Sequence, residues 1–122
     1  MPIRGVYEVA VKVKKLPRAE AFYCEVLGLE VGLRDDERSR VFLRAGGQAG
    51  MVVLQEDAGE WPLMHFAFTV EARDIERAAA LLREKGVEVD GPHLHEWMPA
   101  KSVYFKDPDG HQLELCAPVG EV

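Results

Sequence analysis

Met64–Val70 reads MHFAFTV, and after two residues comes RDIERAAALLREK, Arg73–Lys85. Phe66, Phe68 and Val70 alternate with His65, Ala67 and Thr69, the period of a strand with one buried face. Ile75, Ala78, Ala79 and Leu82 then recur at helical spacing, Asp74 stands where a cap or first-turn acid belongs, and Gly86 follows the last turn. The same order occurs earlier in the chain. Tyr7–Val13, YEVAVKV, leads into LPRAEAFYCEVL, Leu16–Leu27, which has a proline near its start and an apolar stripe of Leu16, Ala19, Phe22, Tyr23 and Val26. Gly28 closes it. Working outward, Gly28–Val31 matches Gly86–Val89 as a third element, read as a strand in both copies. VFLR (Val41–Arg44) matches VYFK (Val103–Lys106), and GMVVLQ (Gly50–Gln55) matches HQLELC (His111–Cys116). A glycine-containing turn precedes each last strand. The chain therefore reads as an α+β fold, one domain over residues 1–122 built from two βαβββ modules. Module 1 runs over about 5–56 and module 2 over about 62–118, with the junction near Asp57–Glu60.

A module this short cannot bury its own sheet, so the copies are expected to pair. The paired sheets would form one curled mixed sheet around a cavity, with the helices outside. At 122 residues the chain can bury a core without metal or disulfide staples. A net charge of −6 with no Lys/Arg stripe argues against nucleic acid as a partner. No apolar run approaches the roughly 20 residues of a membrane span, and the first residues lack the apolar core of a signal peptide. Cys24 and Cys116 are far apart with no CxxC spacing, which reads as two reduced thiols in a cytoplasmic protein.

Alternation also sorts the strand faces. The bulkier sets, Tyr7/Val9/Val11/Val13 and Phe66/Phe68/Val70, belong under the helices. Glu8 and His65 then fall in equivalent slots on the opposite face. Ser102, Tyr104, Gln112, Glu114 and Cys116 share that second face in module 2, and Phe42, Met51, Val53 and Gln55 share it in module 1. A mostly apolar lining with a few convergent polar groups is the character of a small-molecule site. Glu8, His65 and Glu114 are three metal-competent side chains at matched positions, and Val53, which cannot ligate, holds the slot matching Glu114. One imidazole and two carboxylates suit a divalent ion such as Fe, Mn, Ni, Co or Zn. His93 and His95, in GPHLHEW, share a strand face if that segment is extended, but a loop or cavity rim is the favoured placement; His111, just after the DPDG turn, is expected to be exposed. Trp97, near the presumed mouth, is a candidate to stack on a ligand.

The stretches VYEVAVKVKKLPRAEAFYCEVLGLEV, MHFAFTVEARDIERAAALLREKGVEV and SVYFKDPDGHQLEL resemble the vicinal oxygen chelate superfamily of glyoxalases, extradiol dioxygenases, fosfomycin-resistance and bleomycin-resistance proteins. The resemblance covers nearly the whole chain. It implies a homodimer of paired modules around one divalent metal that chelates adjacent oxygens of a small-molecule substrate. Residue by residue it implies His65 and Glu114 as metal ligands, with Glu8 where many members have histidine. Glu8 and Glu114 are the expected catalytic carboxylates, and Tyr104, Ser102, Phe42, Val53 and Trp97 the expected substrate contacts. Glu8 departs from the extradiol pattern of two histidines and one carboxylate, and Val53 departs from the glyoxalase carboxylate. Leu94 and Met98 stand where fosfomycin-resistance proteins place polar, anion-binding residues. The expected activity is a metal-dependent lyase, isomerase or dioxygenase. The alternative is a metal-free protein that sequesters a small molecule, as bleomycin-resistance proteins do.

Overall fold

The computed structural model describes residues 1–47 and 50–119. The chain divides into two compact units, Met1–Pro62 and Leu63–Val122, each built in the order β, α, β, β, β. In the first unit β1 (Glu8–Val13) is followed by α1 (Leu16–Ala21), β2 (Glu30–Asp35), β3 (Arg40–Ala45) and β4 (Gly50–Glu56). In the second, β5 (His65–Thr69) is followed by α2 (Ile75–Glu84), β6 (Asp90–His95), β7 (Ala100–Lys106) and β8 (Gln112–Pro118). Each unit holds one four-stranded mixed sheet, in the orders β1-β4-β3-β2 and β5-β8-β7-β6. The first and last strands of each unit pair parallel and the other neighbours antiparallel. The α+β class and the repeated unit follow the sequence reading. Gln48 and Ala49, part of the turn expected before β4, lie outside the described residues.

The predicted faces hold along the strands, with one correction: Tyr7, expected under the first helix, lies ahead of β1 and is 65% exposed. In unit 1 Val11, Val13, Val41, Leu43, Val52 and Leu54 are buried together with Ala19 and Tyr23 of the helical segment. In unit 2 Val103, Phe105, Leu113 and Leu115 are buried with Ile75, Ala79 and Leu82 of α2. Each valine, leucine, isoleucine or phenylalanine among them gains about 1.5–3 kcal/mol over an exposed position. A one-residue slip in any strand would forfeit several of them at once, which sets the register.

Local chemistry explains where the elements begin and end. α1 has Lys15 at its N-cap with no side-chain bond of its own; Glu56, at the end of β4, supplies the acceptor, taking the Leu16 N–H at 3.0 Å. The helical path continues past Ala21 as a π-helical turn over Phe22–Val26. Asp74 occupies the N-cap of α2 but makes no side-chain capping bond. Gly28 and Gly86 sit at φ +79° and +84° beyond the two helices, the left-handed closure that glycine permits at least cost. The Val87 N–H donates to the Leu82 carbonyl at 3.0 Å in that closure. This corrects one expectation: Gly86–Val89 is not a strand. Its backbone is engaged in ending α2, and β6 starts only at Asp90. In the first copy the shift is smaller, with β2 starting at Glu30.

Candidate functional site

Register carries the candidate side chains to one face of the second sheet. Across the strands Ala67 pairs with Glu114, Glu114 with Tyr104 and Tyr104 with Asp90; one row over, Cys116 pairs with Ser102 and Ser102 with His93. Paired residues share a face, so Glu114, Tyr104, Ser102 and His93 lie opposite the buried Leu113/Leu115 set. His65, two positions before Ala67 on β5, joins them.

Glu114 is the centre of this group. Although it lies on the face away from α2 it is only 8% exposed, and Ser102 beside it is fully buried. The Ser102 hydroxyl donates to Glu114 Oε2 at 2.6 Å, and His65 Nε2 lies 3.1 Å from Oε1. A nearly buried carboxylate left without partners would cost several kcal/mol; here each oxygen has one. The bonds come from strands on either side of β8, so Glu114 is held from both. Tyr104 stands next to it, its ring centroid 6.3 Å from that of His65.

The same residues suit part of a metal's donor set. Adjacent ligand atoms around an ion with bonds of about 2.1 Å are about 3.0–3.4 Å apart, and Nε2 of His65 and Oε1 of Glu114 already have that spacing. Glu8 is placed on β1 of unit 1, exposed and in register with Met51. Among the described residues, no group of three or more His, Cys, Asp or Glu side chains gathers in a way that could hold a metal ion. The structure therefore brings two of the three predicted ligands together. Register also puts Val53 where the sequence places it. It pairs with Ala10 and Phe42 as Glu114 pairs with Ala67 and Tyr104, and it is 4% exposed. Phe42 is half-buried and carries the Arg40 guanidinium over its ring at 5.2 Å.

Two histidine expectations are corrected. His93 and His95 are not in a loop: they lie on β6, paired with Ser102 and Ala100. A bulge restores their face, because four residues of β6, from Asp90 to His93, lie against three of β7, from Tyr104 to Ser102. Gly91 is required there, with φ +119° and a would-be Cβ only 2.7 Å from the Ser102 carbonyl oxygen. His93 Nε2 meets Asp90 Oδ1 at 2.6 Å, and His95 Nε2 meets the Tyr104 hydroxyl at 2.8 Å. His111, expected to be exposed, is fully buried. Its Nδ1 accepts the Met64 N–H at 2.9 Å and its own N–H donates to Asp107 Oδ1 at 2.9 Å, tying the DPDG turn to the residue before His65. The signal was present in the sequence: His111 has the same parity as Leu113 and Leu115, the core face.

A cleft of about 560 Å³ in unit 1, lined in part by Leu16, Glu20, Cys24, Arg34, Asp36 and Glu56, contains none of the predicted site residues. Burial first and the Glu20 carboxylate second push the Cys24 thiol up, which disfavours the nucleophilic thiolate. The predicted site residues of unit 2 lie on the sheet face instead.

The family described as the Glyoxalase/Bleomycin resistance protein/Dioxygenase superfamily matches residues 5–115. The chain belongs to this superfamily. Among solved structures it is similar to an integron cassette protein from the mobile metagenome of the Halifax Harbour sewage outfall, at 52% identity and TM-score 0.92, covering 94% of this chain and 99% of that one. It also resembles lactoylglutathione lyase from Agrobacterium tumefaciens, at 26% identity and TM-score 0.82, covering 96% of each chain. Among curated proteins, metallothiol transferase FosB of Staphylococcus epidermidis is 29% identical over 119 residues, 93% of this chain and 83% of its own length. Superfamily membership supports metal-dependent chemistry on a small molecule as the class of function.

Proposed function

We propose that the protein is a metal-dependent enzyme of the lyase, isomerase or dioxygenase type acting on a small molecule with two adjacent oxygens. The observation that carries this reading is the His65–Glu114 pair, with donor atoms 3.1 Å apart on neighbouring strands. His65 and Glu114 would hold one divalent ion (Fe, Mn, Ni, Co or Zn) with Glu8 as third donor, and Val53 leaves the fourth slot to substrate or water. When bound, such an ion supplies a Lewis acid that polarises the substrate oxygens. The chain's own residues do the rest. Ser102 fixes the orientation of Glu114 through a 2.6 Å bond. The Tyr104 hydroxyl, already bonded to His95, can donate to or accept from a substrate oxygen. Phe42, Val53 and Trp97 supply apolar contacts, and Glu8 and Glu114 are the carboxylates within the set that can carry a proton. The similarity to a lyase and to a metallothiol transferase supports enzyme chemistry. The working form is proposed to be a homodimer in the cytoplasm; among the described residues no helix is long and apolar enough to cross a membrane.

Elemental analysis of protein purified without chelators, followed by calorimetric titration with Ni(II), Mn(II) and Zn(II), tests this. Binding needs a neutral imidazole and ionised carboxylates, so affinity is expected to fall as the pH drops through the range in which imidazoles titrate. His65→Ala should abolish tight binding. If wild type binds none of the three ions and His65→Ala changes nothing, the metal reading fails and the sequestering alternative replaces it.

A further inference from the structure

His111 occupies a core position that leucine would fill at no polar cost. It shares the face of Leu113 and Leu115 and is fully buried. A polar side chain in such a place costs free energy unless it is hydrogen-bonded, so what distinguishes histidine from leucine here is the bond it makes. The Met64 N–H donates to its Nδ1 at 2.9 Å, while the Met64 carbonyl accepts the Gln112 N–H at 2.9 Å. β5 runs parallel to β8 and pairs with it from His65–Gln112 onward. Ahead of Gln112 the chain turns away through DPDG, with the Gly110 N–H on the Asp107 carbonyl at 3.0 Å. The imidazole thus stands in for the strand carbonyl that would make the next rung. The turn is itself pinned, because Asp107 Oδ1 accepts both the Asp109 N–H at 3.0 Å and the His111 N–H at 2.9 Å.

That extra rung sits where the site needs it. β5 is an edge strand and His65 is its first residue, the kind of position that frays. The His65 side chain is 55% exposed, so packing around the ring does little to fix it, and its backbone has to. We propose that His111 is a positioning residue for His65. By holding Met64 it fixes the first residue of β5 and keeps His65 Nε2 3.1 Å from Glu114 Oε1. Ser102 orients the carboxylate of the pair, and His111 the imidazole. The positioning is a property of the metal-free chain; its use in holding an ion rests on the proposed function.

The test compares three variants of the full-length protein. His111→Asn carries its amide oxygen as many bonds from the backbone as Nδ1 and can accept the Met64 N–H; His111→Leu and His111→Phe fill the core without an acceptor. The first readout is the nitrogen-15 NMR signature of the His65 ring in metal-free protein at about pH 8, above the imidazole range. An ionised carboxylate only accepts, so a ring held against Glu114 keeps its proton on Nε2 and its two nitrogens resonate far apart. A released ring exchanges between tautomers and the two shifts draw together. Wild type and His111→Asn are expected to show the separation, and the apolar variants its collapse. The second readout is Ni(II) affinity by calorimetry. It should weaken about tenfold in the apolar variants, the low end for losing support behind a ligand, and recover in His111→Asn. An unchanged His65 signature in the apolar variants, or its collapse in His111→Asn, overturns the proposal. So does failure of both apolar variants to fold, because the imidazole would then serve the core rather than the pair. Failure of the metal reading looks different: wild type takes up no Ni(II), while the His65 signature still follows the acceptor at position 111.

Discussion

Glu114 shows how far single residues could be read. Its position between Leu113 and Leu115 placed it on the face away from α2, and the structure adds why a carboxylate is tolerated there: both oxygens are engaged, by Ser102 and His65. Ser102 was read as a face-mate and a substrate contact; its bond to Glu114 depends on a diagonal between β7 and β8 that no local pattern encodes. The role of His111 was hidden for the same reason, since its partner is Met64, far away in sequence. The Ser102 bond has a measurable consequence. Ser102→Ala strips the 2.6 Å donor from a carboxylate that is 8% exposed and puts nothing in its place. A lost hydrogen bond to a charged group costs about 1.5–3 kcal/mol. The urea midpoint at pH 7 should fall accordingly with an unchanged slope. A midpoint equal to that of wild type would mean that the hydroxyl does not hold the carboxylate.

Among the elements, strands were easier to read than helix ends. Period-2 alternation is forced by the pleat, so the register of β4 with β1 and of β8 with β5 was implicit in which residues are apolar. The stretch after α2 misled because Val87 and Val89 look like a strand, yet Val87 gives its N–H to the helix. β6 was missed because glycine and proline punctuate it, and there they mark a bulge rather than a break. The tie between α1 and β2 was equally invisible in sequence. Arg34 on β2 grips Glu20 on α1 with two bonds of 2.8 and 2.7 Å. The hydrogen bond from Arg34 outweighs desolvation and holds the Glu20 carboxyl below the usual glutamate range. The folded-state value thus lies below the unfolded one, about 4.3. The pair's stabilisation is therefore present above that pH and lost as the pH falls through the folded-state value. Wild type is expected to be slightly more stable than Glu20→Gln at pH 7, by an amount that shrinks with added salt because Arg34 is 42% exposed. The two denaturation curves should converge once the pH has fallen below that folded-state value. A gap that persists there would assign the effect to packing of the glutamate stem.

At the scale of the whole molecule the unfinished feature is the margin of each sheet. β1 and β2 are the edge strands of the first sheet, and β5 and β6 those of the second. Large apolar side chains are exposed along these margins: Val31 and Leu33 on β2, Leu94 on β6, and Ile3, Val6 and Tyr7 ahead of β1. Exposed edges with apolar side chains template further pairing and aggregation unless something covers them. The net charge of −6 opposes non-specific association without covering any edge. A second copy of the chain offers the same margins, and a two-fold interface between copies would bury them reciprocally. Wild-type protein at micromolar concentration is accordingly expected to sediment at twice its chain mass of 13.6 kDa. Tyr7→Glu combined with Leu33→Glu puts two charges on exposed positions, so it should leave each unit folded and shift the species to monomer. A clean 13.6 kDa wild type would remove the homodimer from the proposed function. A variant that remains dimeric would move the interface away from these two margins, and the apolar side chains there would need another occupant.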